Sequence, residues 1–169
     1  MQYAVHQISQ YPTALYLRLS MRMIFTWTSF SDFEGTLPPS VSLLIENIYS
    51  ELETLYGVKL CAYALAFLTF SRTGLSSMEL EDLLSSVDDV LFEVFQHSDP
   101  HTCRLPSHVL SRLLSSLEGL LTRGADGAYL WCHRQLKEAA ERKYHYLRLQ
   151  AHEAMAIYFN NLEISNTIK

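Results

Sequence analysis

The chain has 169 residues, of which 49% are hydrophobic and 18% are charged, and its formal net charge is −5. This length and composition suit one domain with a buried core, and they exclude a disordered tail, a collagen-like chain and a disulfide-rich scaffold. The acidic balance also argues against a general nucleic-acid binder, which is normally basic.

The first two predicted elements are helices that begin near prolines. The first runs from Thr13 to about Thr28, with Pro12 at its start, and its apolar residues recur at helical spacing. A loop is predicted over 31–35. The second helix follows Ser40 and ends at Gly57, because glycine commonly follows the last helical residue. Its apolar stripe consists of Val41, Leu44, Ile45, Ile48, Leu52 and Leu55.

The middle of the chain predicts a central buried helix followed by shorter ones. Almost every residue from Val58 to Phe70 is apolar or small, which is typical of a helix buried on all sides. After a break at 71–74, Ser76 and Glu79 form a capping-box pattern that begins the next helix. Its buried face is predicted to be Leu80, Leu83 and Leu84.

Two more helices are predicted before the hydrophobic period changes. A short one covers Asp88 to Gln96, a loop containing two prolines covers 97–106, and a third helix runs from Ser107 to Gly119. Alternating residues then predict two strands, 120–123 and 128–133, joined by a turn that contains Asp126-Gly127.

The last part of the chain is predicted to return to helix. One helix runs from Arg134 to about Tyr144 and another from Leu147 to Asn160. The second is expected to turn four residues inward: Leu149, His152, Ala156 and Phe159. A polar tail from Leu162 to Lys169 is expected to fray.

The order of the elements from Val58 to Cys132 is that of a winged-helix unit: helix, turn, capped helix, third helix, two-stranded wing. The fold class is therefore predicted to be mainly α, a helical lid bundle followed by a winged-helix unit with one β-hairpin. We place the end of the lid at 1–35, the winged-helix domain with its leading helix at 36–133, and a helical linker with its tail at 134–169.

Four stretches in this order resemble the segment that follows the nucleotide-binding core in NACHT-type STAND NTPases. They are Tyr11–Leu17, Leu37–Gly57, Ala62–Leu84 and Leu130–Ala139. The first resembles the opening of the small helical lid, and the last resembles the stretch that closes the winged helix. The third contains Ser71-Arg72-Thr73-Gly74-Leu75. Their order and spacing over residues 11–160 carry the resemblance. The resemblance is to animal proteins that join a NACHT module to tetratricopeptide or WD repeats, and it is strongest to a tetratricopeptide-repeat protein.

The resemblance implies a non-catalytic regulatory module that closes over a bound nucleotide and couples the nucleotide state to downstream repeats. It also implies that Pro12 approaches the base or ribose of a nucleotide held by the core. The chain departs from the family pattern at Tyr11, where the family has Asn, and it contains no phosphate loop. We therefore expect no enzyme activity and no cofactor in the chain alone. A free-standing helical adaptor that binds another protein is the alternative.

Two groups of residues were weighed as chemical sites. Four potential zinc ligands, His97, His101, Cys103 and His108, fall within twelve residues, but their spacing matches no standard ligand pattern, so we predict no metal site. Nucleophilic catalysis is not expected either. Cys132 and His133 are neighbours in a strand and point to opposite faces, Cys61 lies in the buried helix, and Asp88-Asp89 begins a helix.

The distribution of charges indicates which partners to expect, and the cysteines indicate the cellular compartment. The third helix and wing offer only Arg112, His108 and Arg123 as cations, too few to neutralise several phosphates. Residues 79–93 hold six acids and no base, whereas 134–148 hold five bases and two acids, which favours pairing within the chain or with a partner, or else two solvated faces. We expect protein partners or other parts of the same polypeptide, no nucleic acid and no membrane. Three scattered cysteines and no signal peptide favour the cytoplasm.

Overall fold

The structure is a computed structural model, and it describes residues 13–26, 37–95 and 104–167. The chain divides into two compact units, Met1–Glu51 and Leu52–Lys169, and the boundary falls inside a helix. The domain limits predicted at 35/36 and 133/134 are not tested by this division and stay predictions.

Unit one contains helix α1, Ala14–Thr26, and most of helix α2, Val41–Tyr56. The hydroxyl of Thr13 accepts the Tyr16 N–H at 3.2 Å, and that of Ser40 accepts the Leu43 N–H at 3.3 Å, so each helix begins with a side-chain cap. Tyr16 is buried, and its phenol donates to the Pro38 carbonyl at 2.9 Å. Pro12 and the predicted loop at 31–35 lie outside the described residues.

The buried face of α2 differs from the predicted stripe at two positions. Leu44, Ile45, Ile48 and Leu52 are buried as predicted. The prediction for Leu55 is wrong, because this side chain is 65% exposed in the last helical turn, where the apolar face emerges into solvent. Tyr49, which was not predicted, is fully buried.

Unit two is built around helix α3, Val58–Phe70, in which every residue from Leu60 to Thr69 is buried. The prediction of a helix buried on all sides is confirmed. Around it lie the other helices of the described chain: α4 Ser77–Ser85, α5 Asp88–Val94, α6 Ser107–Ser116, α7 Arg134–Tyr144, a 3₁₀ turn His145–Leu147 and α8 Arg148–Thr167. Helices α4, α5, α7 and α8 all contact α3 directly.

The N-terminus of α3 is capped by a side chain from α5. The Glu93 carboxylate accepts the Lys59 N–H at 3.1 Å and the Leu60 N–H at 2.8 Å. The first N–H groups of a helix have no partner inside it, and negative charge is favourable at this end. Glu93 thus supplies an acceptor that the preceding residues do not.

The wing is a two-stranded antiparallel hairpin, as predicted, consisting of β1 Leu121–Arg123 and β2 Tyr129–Trp131. A third strand position is present at Leu75, which forms an antiparallel bridge with Tyr129. The Tyr129 N–H donates to the Leu75 carbonyl at 2.8 Å, and the Leu75 N–H donates back at 3.4 Å. Residue periodicity did not predict this position, which ties the turn after α3 to the free side of β2.

The predicted inward face of α8 is wrong. Leu149 is 69% exposed, and His152, Ala156 and Phe159 are exposed as well. The buried residues are Ala151 and Met155, together with Leu147 just before the helix, and the two α8 residues lie about 100° around the helix from the centre of the predicted face. Apolar side chains occur on several sides of α8, so the packing surface of the neighbouring helices decides which side is buried.

Helix α8 continues to Thr167, and its backbone is therefore helical over most of the segment where a frayed tail was expected. In the part of the chain that the structure describes, no helix is both long enough and apolar enough to cross a bilayer.

Candidate functional site

In a helix-turn-helix unit the second helix of the motif carries the recognition contacts, and here a cleft lies beside the corresponding helix, α6, and the wing. Here this wing cleft has a volume of about 530 Å³ and lies between the start of α4, helix α6 and the hairpin. Its polar lining consists of Ser77, Ser111, Ser115, Glu118, Thr122 and Arg123. The wing cleft is the candidate functional site.

The wing cleft is nearly neutral. Among its described lining residues, Arg123 is the one base and Glu118 the one acid. Arg123 is held in place by Tyr129, since its guanidinium donates to the Tyr129 hydroxyl and lies 4.9 Å from the centre of that ring. Four serine and threonine hydroxyls beside one base and one acid suit hydrogen bonds to a protein surface, whereas binding a phosphate backbone takes several cations.

The stretch 71–80, which helps to carry the family resemblance, has a structural role at this site. Ser71 donates its hydroxyl to the Gly74 carbonyl at 2.7 Å. The predicted capping box is confirmed, because Ser76 accepts the Glu79 N–H at 3.3 Å and the Glu79 carboxylate accepts the Ser76 N–H at 2.7 Å. This turn therefore sets the position of α4 against the wing.

Of the four potential zinc ligands, only His108 is described, and it lies exposed on α6. His97, His101 and Cys103 lie outside the described residues, as does Pro12. Within the described ranges, no three His, Cys, Asp or Glu side chains are grouped so that they could hold a metal ion.

The cysteines and their neighbours have structural partners. The Cys132 thiol donates to the Gly119 carbonyl at 3.3 Å, whereas His133 Nδ1 accepts the Gln135 N–H at 3.2 Å and so caps α7. The cap role of His133 was missed, although a polar residue directly before a helix is a recognisable signal. The Cys61 thiol is buried and donates to the Leu52 carbonyl at 3.2 Å, and burial raises its pKa to about 12.

The acidic block 79–93 is paired largely with residues outside the basic block. Arg104 bridges Glu81 and Asp82, and Lys59 pairs with Asp89 at 3.2 Å. These contacts join α4 and α5 to the residues that precede α6 and to α3. These ion pairs are largely exposed, so each contributes little to stability.

The basic block 134–148 is tied to the end of α2 through Glu53. One oxygen of the Glu53 carboxylate accepts a hydrogen bond from Lys143 Nζ at 2.7 Å, and the other accepts one from the Tyr144 hydroxyl at 2.8 Å. Both hydrogen bonds are partly buried, and together the two donors fix the position of the Glu53 carboxylate. The charge blocks were expected to pair within the chain or with a partner, or else to be solvated faces. Lys143 and Glu53 pair within the chain.

Comparison with known proteins identifies the family to which this chain belongs. Residues 39–150 match a model described as "NWD1-like, winged helix-turn-helix domain". Human NACHT and WD repeat domain-containing protein 2 is 31% identical over 147 residues, 84% of this chain. Human NACHT domain- and WD repeat-containing protein 1 is 32% identical over 165 residues, 90% of this chain, and its mouse counterpart is 33% identical over 138 residues, 76% of this chain.

The chain spans only 8 to 10% of the length of these relatives. Their names give WD repeats, so the preference for a tetratricopeptide-repeat protein stays a prediction. No solved structure matches the chain.

Proposed function

Because the chain belongs to the NWD1-like winged helix-turn-helix family, we propose that it is a non-catalytic regulatory module of a STAND-type NTPase. In this role it couples the nucleotide state of a NACHT core to downstream repeats through protein contacts. The observation that carries the proposal is a winged-helix unit with a nearly neutral wing cleft, in a chain whose relatives are named for NACHT and WD repeat domains.

The chemistry of the wing cleft supports protein contacts over nucleic acid. Its hydroxyl groups donate and accept hydrogen bonds without adding net charge, and the half-buried Leu121 adds apolar surface beside them. Interfaces between proteins combine such apolar area with a modest number of hydrogen bonds. We therefore place the contact with the NACHT core at this cleft.

Two further parts of the proposal concern Pro12 and the cellular compartment. The family resemblance supports a contact of Pro12 with the base or ribose of the nucleotide in the core. Cys61 and Cys132 are free thiols, which supports a reducing compartment such as the cytoplasm.

Coupling requires that the chain bind the two nucleotide states of the core with different affinity, since equal affinities shift no equilibrium. The test is calorimetric titration of the 169-residue chain into a separately produced NACHT module of human NACHT and WD repeat domain-containing protein 2. The module is loaded with ADP in one series and with a non-hydrolysable ATP analogue in the other. We expect affinities that differ by at least about 10-fold, which is typical of allosteric coupling.

A cleft variant gives the matched control for this experiment. Ser111→Tyr fills the wing cleft and is expected to reduce the nucleotide-dependent difference, whereas Gln135→Tyr adds the same side chain at an exposed position on α7. Equal affinity for both states, or no binding to either, would contradict the proposed coupling and favour the free-standing adaptor.

A further inference from the structure

A second depression, which we call the α8 groove, lies between α8, the end of α3 and the turn 71–73. Its volume is about 360 Å³, and it shares no lining residue with the wing cleft. The floor is apolar and consists of Phe70, Met155, Ala156 and Phe159. Phe159 is 37% exposed and Phe70 is half-buried, so two aromatic rings remain accessible to a ligand.

The rim of the α8 groove is cationic. Arg72 and His152 line it, and the Arg148 guanidinium lies 6.0 Å from the centre of the Phe70 ring. The His152 ring lies 5.8 Å from the same ring, centre to centre. Within the described part of the chain, no acid lines the groove, and none of these three side chains makes an ion pair.

The acid next to this rim along α8 faces a different direction. Glu153 follows His152 in sequence, and successive residues are rotated by about 100° around a helix, so its carboxylate projects away from the groove. Among the side chains that the structure describes, no acid therefore offsets Arg72 and Arg148 at this rim, although the formal net charge of the chain is −5.

We propose that the α8 groove binds an acidic segment of a partner protein, which inserts one aromatic or large aliphatic side chain between Phe70 and Phe159. Carboxylates that flank this side chain pair with Arg72 and Arg148. The segment is recognised both by charge complementarity with the rim and by apolar contact with the floor. Aromatic residues and arginine are the residue types that dominate the free energy of protein interfaces.

The same charges argue against the other anionic ligands. Two arginines and one histidine are too few for the multiple phosphate contacts that hold a nucleic acid. Attraction to an anionic membrane is about 1 kcal/mol for each nearby Lys or Arg, so the two arginines contribute only about 2 kcal/mol, in a chain whose formal net charge is −5. A protein segment is favoured because it can supply both an apolar side chain for the floor and carboxylates for the rim.

The test begins with a random peptide library displayed on phage and selected on the 169-residue chain. We expect the enriched peptides to carry an aromatic or large aliphatic residue flanked by Asp or Glu. A labelled enriched peptide is then titrated with the chain by fluorescence polarisation. Arg72→Glu and Phe159→Ser are each expected to weaken binding by at least about 10-fold, as at an interface hot spot.

Matched variants control for charge and for loss of apolar surface. Arg142→Glu makes the same charge change at an exposed position on α7, and Ile157→Ser removes an apolar side chain that is 64% exposed on another side of α8. Both are expected to change the affinity by less than about 2-fold, as surface positions outside an interface do. Circular dichroism melting verifies that all four variants are folded.

Three results would overturn the assignment. The first is enrichment of peptides without acids, or no enrichment. The second is binding of acidic peptides that Arg72→Glu and Phe159→Ser leave unchanged. The third is tight binding of phosphatidylserine vesicles or of a single-stranded oligonucleotide that these two variants abolish and the enriched peptide does not displace. Because the α8 groove is separate from the wing cleft, binding here would persist if the chain proved indifferent to nucleotide.

Discussion

Polar side chains in unit two serve mainly to connect helices. Glu53 joins the end of α2 to α7, Glu93 caps α3, and Tyr158 on α8 donates its hydroxyl to Asp82 on α4 at 3.0 Å. Each of these contacts links residues far apart in sequence. Periodicity can identify the helix that carries such a residue, but it cannot identify the partner, because the partner is brought near only by the folded chain.

The Cys61 thiol leads to a prediction for the dependence of stability on pH. Burial raises its pKa from 9.0 to about 12, so the folded chain keeps the proton at pH values where the unfolded chain has lost it. Below a pH of about 9, Cys61 contributes no pH dependence, and between about 9 and 12 its contribution reduces the stability as pH rises.

Urea denaturation from neutral to alkaline pH tests this prediction. Tyrosines titrate in the same range, so the quantity to measure is the difference between the chain and its Cys61→Ala variant. We expect the unmodified chain to lose stability more steeply with rising pH. Identical slopes in the two proteins would show that the thiol titrates at its ordinary pKa.

At the scale of the secondary-structure elements, local patterns predicted the helices well and their contacts less well. The capping box at Ser76 and the all-apolar run in α3 are local signals, and both were confirmed. Leu75 lies between the predicted break at 71–74 and the capping box, and it was assigned to no element because a single bridging residue has no period of its own. The buried side of α8 was mistaken because its apolar residues allow more than one stripe, and only contact with α3 and α4 selects between them.

Two glycines with similar backbone conformation test the importance of the third strand position. Gly74 has a φ of +87° and Gly127 a φ of +83°. A Cβ at Gly74 would lie 2.6 Å from the Tyr129 carbonyl oxygen, whereas a Cβ at Gly127 would have no atom within 4 Å. Gly127→Ala is expected to cost about 1–2 kcal/mol from backbone strain alone.

Gly74→Ala is expected to cost at least about 2 kcal/mol more than Gly127→Ala, because it also separates Leu75 from β2. Urea denaturation of both variants gives the two free energies of unfolding. If the losses were the same, the approach of the turn to β2 would be less tight than the structure shows.

The central position of α3 gives a second prediction at this scale. Leu65 is fully buried, and an aspartate there would place an unpaired charge in the core, which costs several kcal/mol. We expect Leu65→Asp to abolish the cooperative thermal transition. Leu149→Asp makes the same replacement at a leucine that is 69% exposed, and it is expected to melt close to the unmodified chain. Similar melting curves for both variants would contradict the burial of α3.

For the whole molecule, composition and element order were enough to predict a mainly helical chain with a winged helix, and the family match agrees. The wing cleft was not predicted as a set of residues, because it combines the start of α4 with α6 and the hairpin. The charged fraction of 18% is low for a globular domain, and the wing cleft and the α8 groove are two open faces to which we assign partners. The contact predicted for Pro12 involves a nucleotide held by a different part of the family's architecture.

The charge of the whole chain leads to a prediction about duplex DNA. With a net charge of −5 and one base in the wing cleft, the chain is expected to bind a duplex only weakly and non-specifically, with a dissociation constant no tighter than about 10⁻⁴ M at physiological salt. Fluorescence anisotropy measures this directly, and Arg123→Ala should leave the weak signal unchanged. Sub-micromolar binding that depends on base sequence and is lost in Arg123→Ala would identify the wing as a DNA reader.

The carboxylate at the start of α3 has a consequence for how the domain folds. Glu93 lies 33 residues beyond Leu60, whose N–H it accepts, so the most buried helix acquires its full set of backbone hydrogen bonds only after α5 has docked. Helix α3 is not complete without α5, and the α4 segment that connects them is drawn into the same event. We therefore expect the stretch from Val58 to Val94 to form and to melt as a single cooperative unit, with no stable intermediate in which α3 stands alone.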